Sequence, residues 1–81
     1  NLQLKYLLAI SYHKNQEYAK TLKILKELAY NDFAQAQREL GIIYFLGDIV
    51  KKDIQKAKNY LMKAAENGDK ASQKIIEENL F

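Results

Sequence analysis

Residues 36–68 read AQRELGIIYFLGDIVKKDIQKAKNYLMKAAENG, and this stretch decides the fold. Two apolar sets with helical spacing, Ala36–Leu40–Ile43–Tyr44 and Ala57–Leu61–Ala64, flank a polar segment that opens at Gly47. Asn67-Gly68 ends the second set with a residue that tolerates positive φ. The pattern is a helix, a loop and a second helix.

Working outward, the rest of the chain repeats this pair. A step of 36 residues lays Glu17, Lys20, Leu25 and Ala29 on Asp53, Lys56, Leu61 and Ala65. The same step lays Ala36, Gln37 and Leu40 on Ser72, Gln73 and Ile76. Upstream the step shortens to 32, where Leu8-Ala9 meets Leu40-Gly41 and Tyr12 meets Tyr44, so the first unit has a loop four residues shorter. Loops tolerate length changes that packed helices do not, so one period with one loop indel indicates a solenoid. The spacing predicts five helices, at about 2–13, 17–30, 34–46, 53–66 and 70–80. The expected fold is all-α, an α/α solenoid of about two and a half helix pairs. Residues 1–30 form a first unit and 34–67 a second, and 70–81 form the first helix of a third unit or a capping helix.

Local chemistry supports these bounds. Asp53 and Asp69 stand where a helix start needs a side-chain acceptor, and Asp32 with Gln35 reads as a capping box for the third helix. Leu4, Leu7, Leu8 and Tyr12 read as the packed stripe of the first helix, with Tyr12 and Tyr44 at equivalent buried positions. Thr21, Leu25 and Leu28 correspond to Ala57, Leu61 and Ala64, and small residues at Ala9, Gly41, Ala57 and Ala64 allow close helix approach. Val50, a lone apolar residue in a polar loop, is expected to tuck under the helix pair.

The run Ala36-Gln37-x-x-Leu40-Gly41-x-x-Tyr44-x-x-Gly47-x-x-Val50-x-x-Asp53-x-x-Lys56-Ala57-x-x-Tyr60-x-x-Lys63-Ala64-Ala65-Glu66-x-Gly68 resembles a Sel1-like repeat. Such repeats are cousins of the tetratricopeptide repeat with a longer helix–helix loop. Ile49 replaces the usual second loop glycine, and Tyr60 stands where Trp or Tyr is common. The first unit, Leu4 to Ala29, is more similar to an ordinary tetratricopeptide unit. The resemblance implies a right-handed stack of helix pairs with a concave face, serving as an adaptor or assembly platform.

Composition narrows the function classes. With no cysteine, thiol chemistry and disulfides are excluded, and no apolar run approaches the length that spans a membrane. Nothing in the sequence names a compartment. Twelve of thirteen cations are lysine, a bias that fits an AT-rich bacterial genome better than arginine-based nucleic-acid readout. Lys51, Lys52, Lys56, Lys58 and Lys63 read as a solvated outer face. His13, the only histidine, has no His or Cys to share a metal with, so no metal or other cofactor is expected. Ser11 and Ser72 lie in separate helices and form no triad, and no glycine pattern cradles a phosphate, so no catalytic residue is assigned and the chain reads as a non-enzyme.

What remains is the inner face of the first helices: Tyr6, Ile10 and His13, then Gln35, Arg38, Ile42 and Phe45, then Lys74. Its apolar members are not needed by the internal stripe, and an apolar strip rimmed by polar groups suits a protein or peptide partner. The alternative is a purely structural segment that stacks on further repeats or self-associates. Leu2, Leu4 and Leu7 arrive with no preceding helix to cover them, and the chain finishes Leu80-Phe81. Two uncovered ends imply either end-to-end homodimerisation or excision from a longer array.

Overall fold

A computed structural model describes residues 1–79, and among them it has five α-helices and no strand. They are α1 (Leu2–Lys14), α2 (Tyr18–Tyr30), α3 (Ala34–Leu46), α4 (Ile54–Glu66) and α5 (Lys70–Asn79). The first four spans depart from the sequence reading by no more than one residue at either end. Leu80 and Phe81, expected to end the last helix and leave an apolar tail, lie outside the described residues.

The period appears directly in these bounds. Both ends of α1 map onto α3 by 32 residues (2 to 34, 14 to 46), and both ends of α2 map onto α4 by 36 (18 to 54, 30 to 66). The difference lies in the loops, 15–17 in the first pair and 47–53 in the second. One hydrogen bond closes both: Glu17 N–H donates to Tyr12 O at 2.9 Å, and Asp53 N–H to Tyr44 O at 3.0 Å. The four extra residues bulge between fixed anchors. Gly47 turns the chain there at φ +66, with Lys52 so near that a Cβ would stand 2.6 Å from the lysine Cβ. Val50 folds back, half-buried, onto the core.

The turns between units also repeat. Phe33 N–H donates to Leu28 O and Asp69 N–H to Ala64 O, both at 3.0 Å. Here the expected capping box fails. Asp32 is the left-handed residue of its turn, φ +62, equivalent to Gly68 at φ +92, and the N-cap of α3 falls on Phe33, whose side chain cannot accept a hydrogen bond. Asp53 does cap α4, accepting from Lys56 N–H at 3.0 Å, and Asp69 accepts from Ser72 N–H at 2.9 Å.

First helices α1, α3 and α5 make one layer and second helices α2 and α4 the other. The least extent of 17 Å is the thickness of two packed helices. Between them lie Ala9, Leu25, Leu28, Ala36, Leu40, Ala57, Leu61 and Ala64, all essentially sealed from solvent. Small residues let the layers close. Thr21 Oγ donates to Ala9 O at 3.4 Å, and at the matching place a Cβ on Gly41 would stand 2.6 Å from Leu61 Cγ and 3.2 Å from Ala57 O.

The packed face of α1 differs from the sequence reading. Leu4, Leu7 and Leu8 are exposed, and α1 buries Tyr6 and Ala9 instead. Helical periodicity could not choose between the faces, because apolar residues surround α1 almost completely. Tyr12 and Tyr44 are equivalent in position, yet only Tyr44 is buried, stacked at 6.0 Å on Tyr60 beneath the longer loop. Tyr12 meets Ile24 in place of a second ring and stays half-exposed.

Candidate partner-binding face

Gln35, Arg38, Ile42 and Phe45 recur at helical spacing along α3 and are all half-buried. They flank the sealed set Ala36, Leu40 and Ile43 without belonging to it. Ile10 of α1 is half-buried against the same core, and Lys74 of α5 is exposed. Ile42 and Phe45 are apolar side chains left only half-buried on this face.

Two side chains of the expected strip belong to the scaffold instead. Tyr6 is buried, its ring 5.7 Å from that of Phe33 and its hydroxyl donating to Glu39 Oε1 at 3.4 Å. Burial pushes the Tyr6 hydroxyl pKa above its usual value, the Glu39 carboxylate adds to the rise, and the Arg38 guanidinium opposes it. Arg38 is not a free cation. Its Nη1 donates to Asp69 Oδ1 at 2.9 Å, with both side chains largely shielded, and Asp69 Oδ2 accepts from Ser72 Oγ at 2.6 Å. Tyr6, Arg38, Glu39 and Asp69 thus tie α1, α3 and α5 into one surface. His13 packs edge-on against Tyr18 of α2, ring centroids 5.6 Å apart, which sets it at the end of the first helix pair.

One residue that sequence reasoning passed over matters as much. Gln37 is buried and fully used: Nε2 donates to Ala29 O at 3.0 Å, and Oε1 accepts from Asn67 Nδ2 at 2.9 Å. It clips the ends of both second helices to α3. The signal lay in the 36-residue register, which pairs Gln37 with Gln73, and Gln73 Nε2 donates to Ala65 O at 3.2 Å.

The outer face carries the lysines. Lys56 Nζ sits 4.9 Å from the Tyr44 ring centroid and Lys20 Nζ 5.2 Å from that of Tyr12, a cation–π clasp repeated in each unit. Lys52 lies 6.0 Å over Phe45. A hollow of about 360 Å³ between α2 and α4 is lined by Lys26, Tyr30, Asp32, Tyr60 and Lys63, among others. Burial raises the Tyr60 pKa there, and neighbouring Tyr44 adds to it. Among the described residues no group of three His, Asp or Glu side chains could hold a metal ion, and no helix is long and apolar enough to cross a membrane.

Residues 34–69 match the Sel1 repeat family model, from the first residue of α3 to the residue before α5. This segment is similar to a Sel1 repeat. The match takes in the helix pair with the seven-residue loop and the turn that follows, and leaves the short-looped first pair outside. No curated protein and no solved structure matches the chain significantly. Sel1 repeats generally mediate protein–protein contacts.

Proposed function

We propose that the chain is a protein-interaction adaptor that holds a partner protein or peptide along the inner face of its first helices. The observation that carries this reading is the row Gln35–Ile42–Phe45 on α3. It is half-buried, apolar at its centre, and mounted on a surface that the Tyr6–Glu39 and Arg38–Asp69 contacts hold rigid. A pre-formed surface binds with less ordering cost than one assembled on contact. Ile10, Gln35, Ile42 and Phe45 are assigned as partner contacts, with Lys74 at one edge and His13 at the far end of α1. Tyr6 and Arg38 support the surface from within. The reading gives the protein no chemistry of its own, no cofactor and no nucleic-acid ligand.

The experiment is affinity capture with the intact chain from its source cells, compared with Ile42→Asp. A carboxylate at the centre of the row would be desolvated by any partner lying there. The expected result is a protein retained by the wild-type chain and lost with Ile42→Asp, while both chains melt alike. Equal retention by both would overturn the assignment.

A further inference from the structure

The two helix pairs carry the same lysine–tyrosine clasp with opposite charge around it. In the first pair the clasp is neutralised, because Lys20 Nζ, over Tyr12, sits 3.0 Å from Glu17 Oε1. In the second pair Lys56 lies over Tyr44, and the 36-residue step puts Asp53 in the place of Glu17. Asp53 is turned to the backbone instead, its Oδ1 accepting from the N–H of Lys56 at 3.0 Å. The same step exchanges Glu27 for Lys63. Among the described residues no carboxylate stands within 4.0 Å of the ammonium of Lys51, Lys52 or Lys56.

The longer loop gathers these cations around a cavity. A hollow of about 390 Å³ is lined by Tyr44, Val50, Lys51, Lys52, Asp53 and Lys56, so three cations face one carboxylate. Two of the three are already placed: Lys56 Nζ lies 4.9 Å from the Tyr44 ring centroid, and Lys52 Nζ 6.0 Å from that of Phe45. An ammonium has three donors, and a ring face beneath it leaves others for an anion. The backbone is held as well, by the Asp53 N–H on Tyr44 O and by the close crossing of Gly47 and Lys52. Little ordering cost is left for a ligand to offset.

We propose that this hollow seats an acidic segment of a protein partner, with two neighbouring carboxylates set among Lys51, Lys52 and Lys56. The inference rests on the adaptor reading and takes it further. Phe45, at the end of the α3 row, lies under Lys52, so a chain bound along the row runs on into the hollow. Two carboxylates match the surplus of two positive charges. Lysine ammoniums are compact charges without the fixed fork of arginine, and they take carboxylates presented at varied angles. A volume of about 390 Å³ is more than ten times the roughly 30 Å³ share of a water molecule, which is room for side chains rather than one small ion.

The test is an NMR titration of the isotope-labelled chain with an end-capped Asp-Glu-Asp-Glu peptide. It is run in about 0.15 M salt, where exposed charges more than about 8 Å apart are largely screened. The expected result is a saturable set of amide shifts across residues 50–56, absent with an Asn-Gln-Asn-Gln peptide. Lys51→Gln/Lys52→Gln, both in the loop and outside the helices, should weaken binding about fivefold or more, the usual scale of two exposed ion pairs. Lys14→Gln/Lys70→Gln removes the same charge from exposed positions elsewhere and should change it by less than about twofold. Three results overturn the proposal: no saturable shifts with millimolar peptide, equal losses in the two double variants, or tighter binding of inorganic phosphate or a thymidine oligonucleotide at the same residues. The last would give the hollow to a phosphate ligand. Peptide bound at 50–56 while Ile42→Asp leaves capture intact would sink the row and spare the hollow, and the reverse pair of results would sink the hollow alone.

Discussion

Asp32 and Gly68 occupy the same place in successive turns, both left-handed, yet only one is glycine. A side chain in this region crowds the following carbonyl by roughly 1–2 kcal/mol, less for aspartate, which is among the residues that tolerate it best. At Gly68 no atom lies within 4 Å of a built Cβ, so the cost of any replacement there is purely backbone. Asp32→Gly should therefore be more stable than Asp32→Ala by about 1 kcal/mol, and Gly68→Ala should lose about as much. Denaturant midpoints of the three variants check this, and an alanine at 32 equal to or better than glycine would contradict the turn geometry. The misreading of Asp32 has the same origin. Aspartate suits both a cap and a left-handed turn, and in the sequence the two sites are one residue apart.

At the scale of elements, the helices were legible and one of their faces was not. In α2 and α4 polar residues leave one apolar stripe, in α3 the repeat register picks out the packed one, and the expected residues Thr21, Leu25, Leu28, Ala36, Leu40, Ile43, Ala57, Leu61 and Ala64 are all buried. In α1 the stripe was ambiguous, because apolar residues lie almost all round the helix and Leu4, Leu7 and Leu8 compete with Tyr6 and Ala9. The roles of Tyr6 and Arg38 were hidden for a different reason. Their partners Glu39 and Asp69 lie 33 and 31 residues away, and no local pattern announces a contact across units. The Arg38–Asp69 contact consequently predicts a stability effect. Arg38→Ala leaves Asp69 without its cation and should cost about 1–2 kcal/mol, near the usual value for a shielded charged hydrogen bond. Leu61→Ala, which opens a cavity in the core, should cost about 2–5 kcal/mol. Thermal or denaturant unfolding ranks the two, and an Arg38→Ala variant as stable as the wild type would mean that the α3–α5 contact is idle in solution.

For the whole molecule, the period of 36 with one step of 32 made the stack readable, since each register shift reappears as a helix displacement. The placing of the candidate surface was readable only in part. Gln35, Ile42 and Phe45 lie together on α3 as the spacing requires, whereas His13 turned to Tyr18 and Tyr6 sank into the core. The stack presents three faces of different chemistry: the half-buried row on α3, the bare leucines of α1 and the lysines of the outer layer. An adaptor that works through its inner face must touch its partner at the first of these. The direct test is site-specific photo-crosslinking in the source cells, with a benzophenone side chain placed at Phe45 and, as the outer-face control, at Met62. The account predicts a discrete protein adduct from position 45 and none from 62. An adduct from position 62 with none from 45 would contradict it.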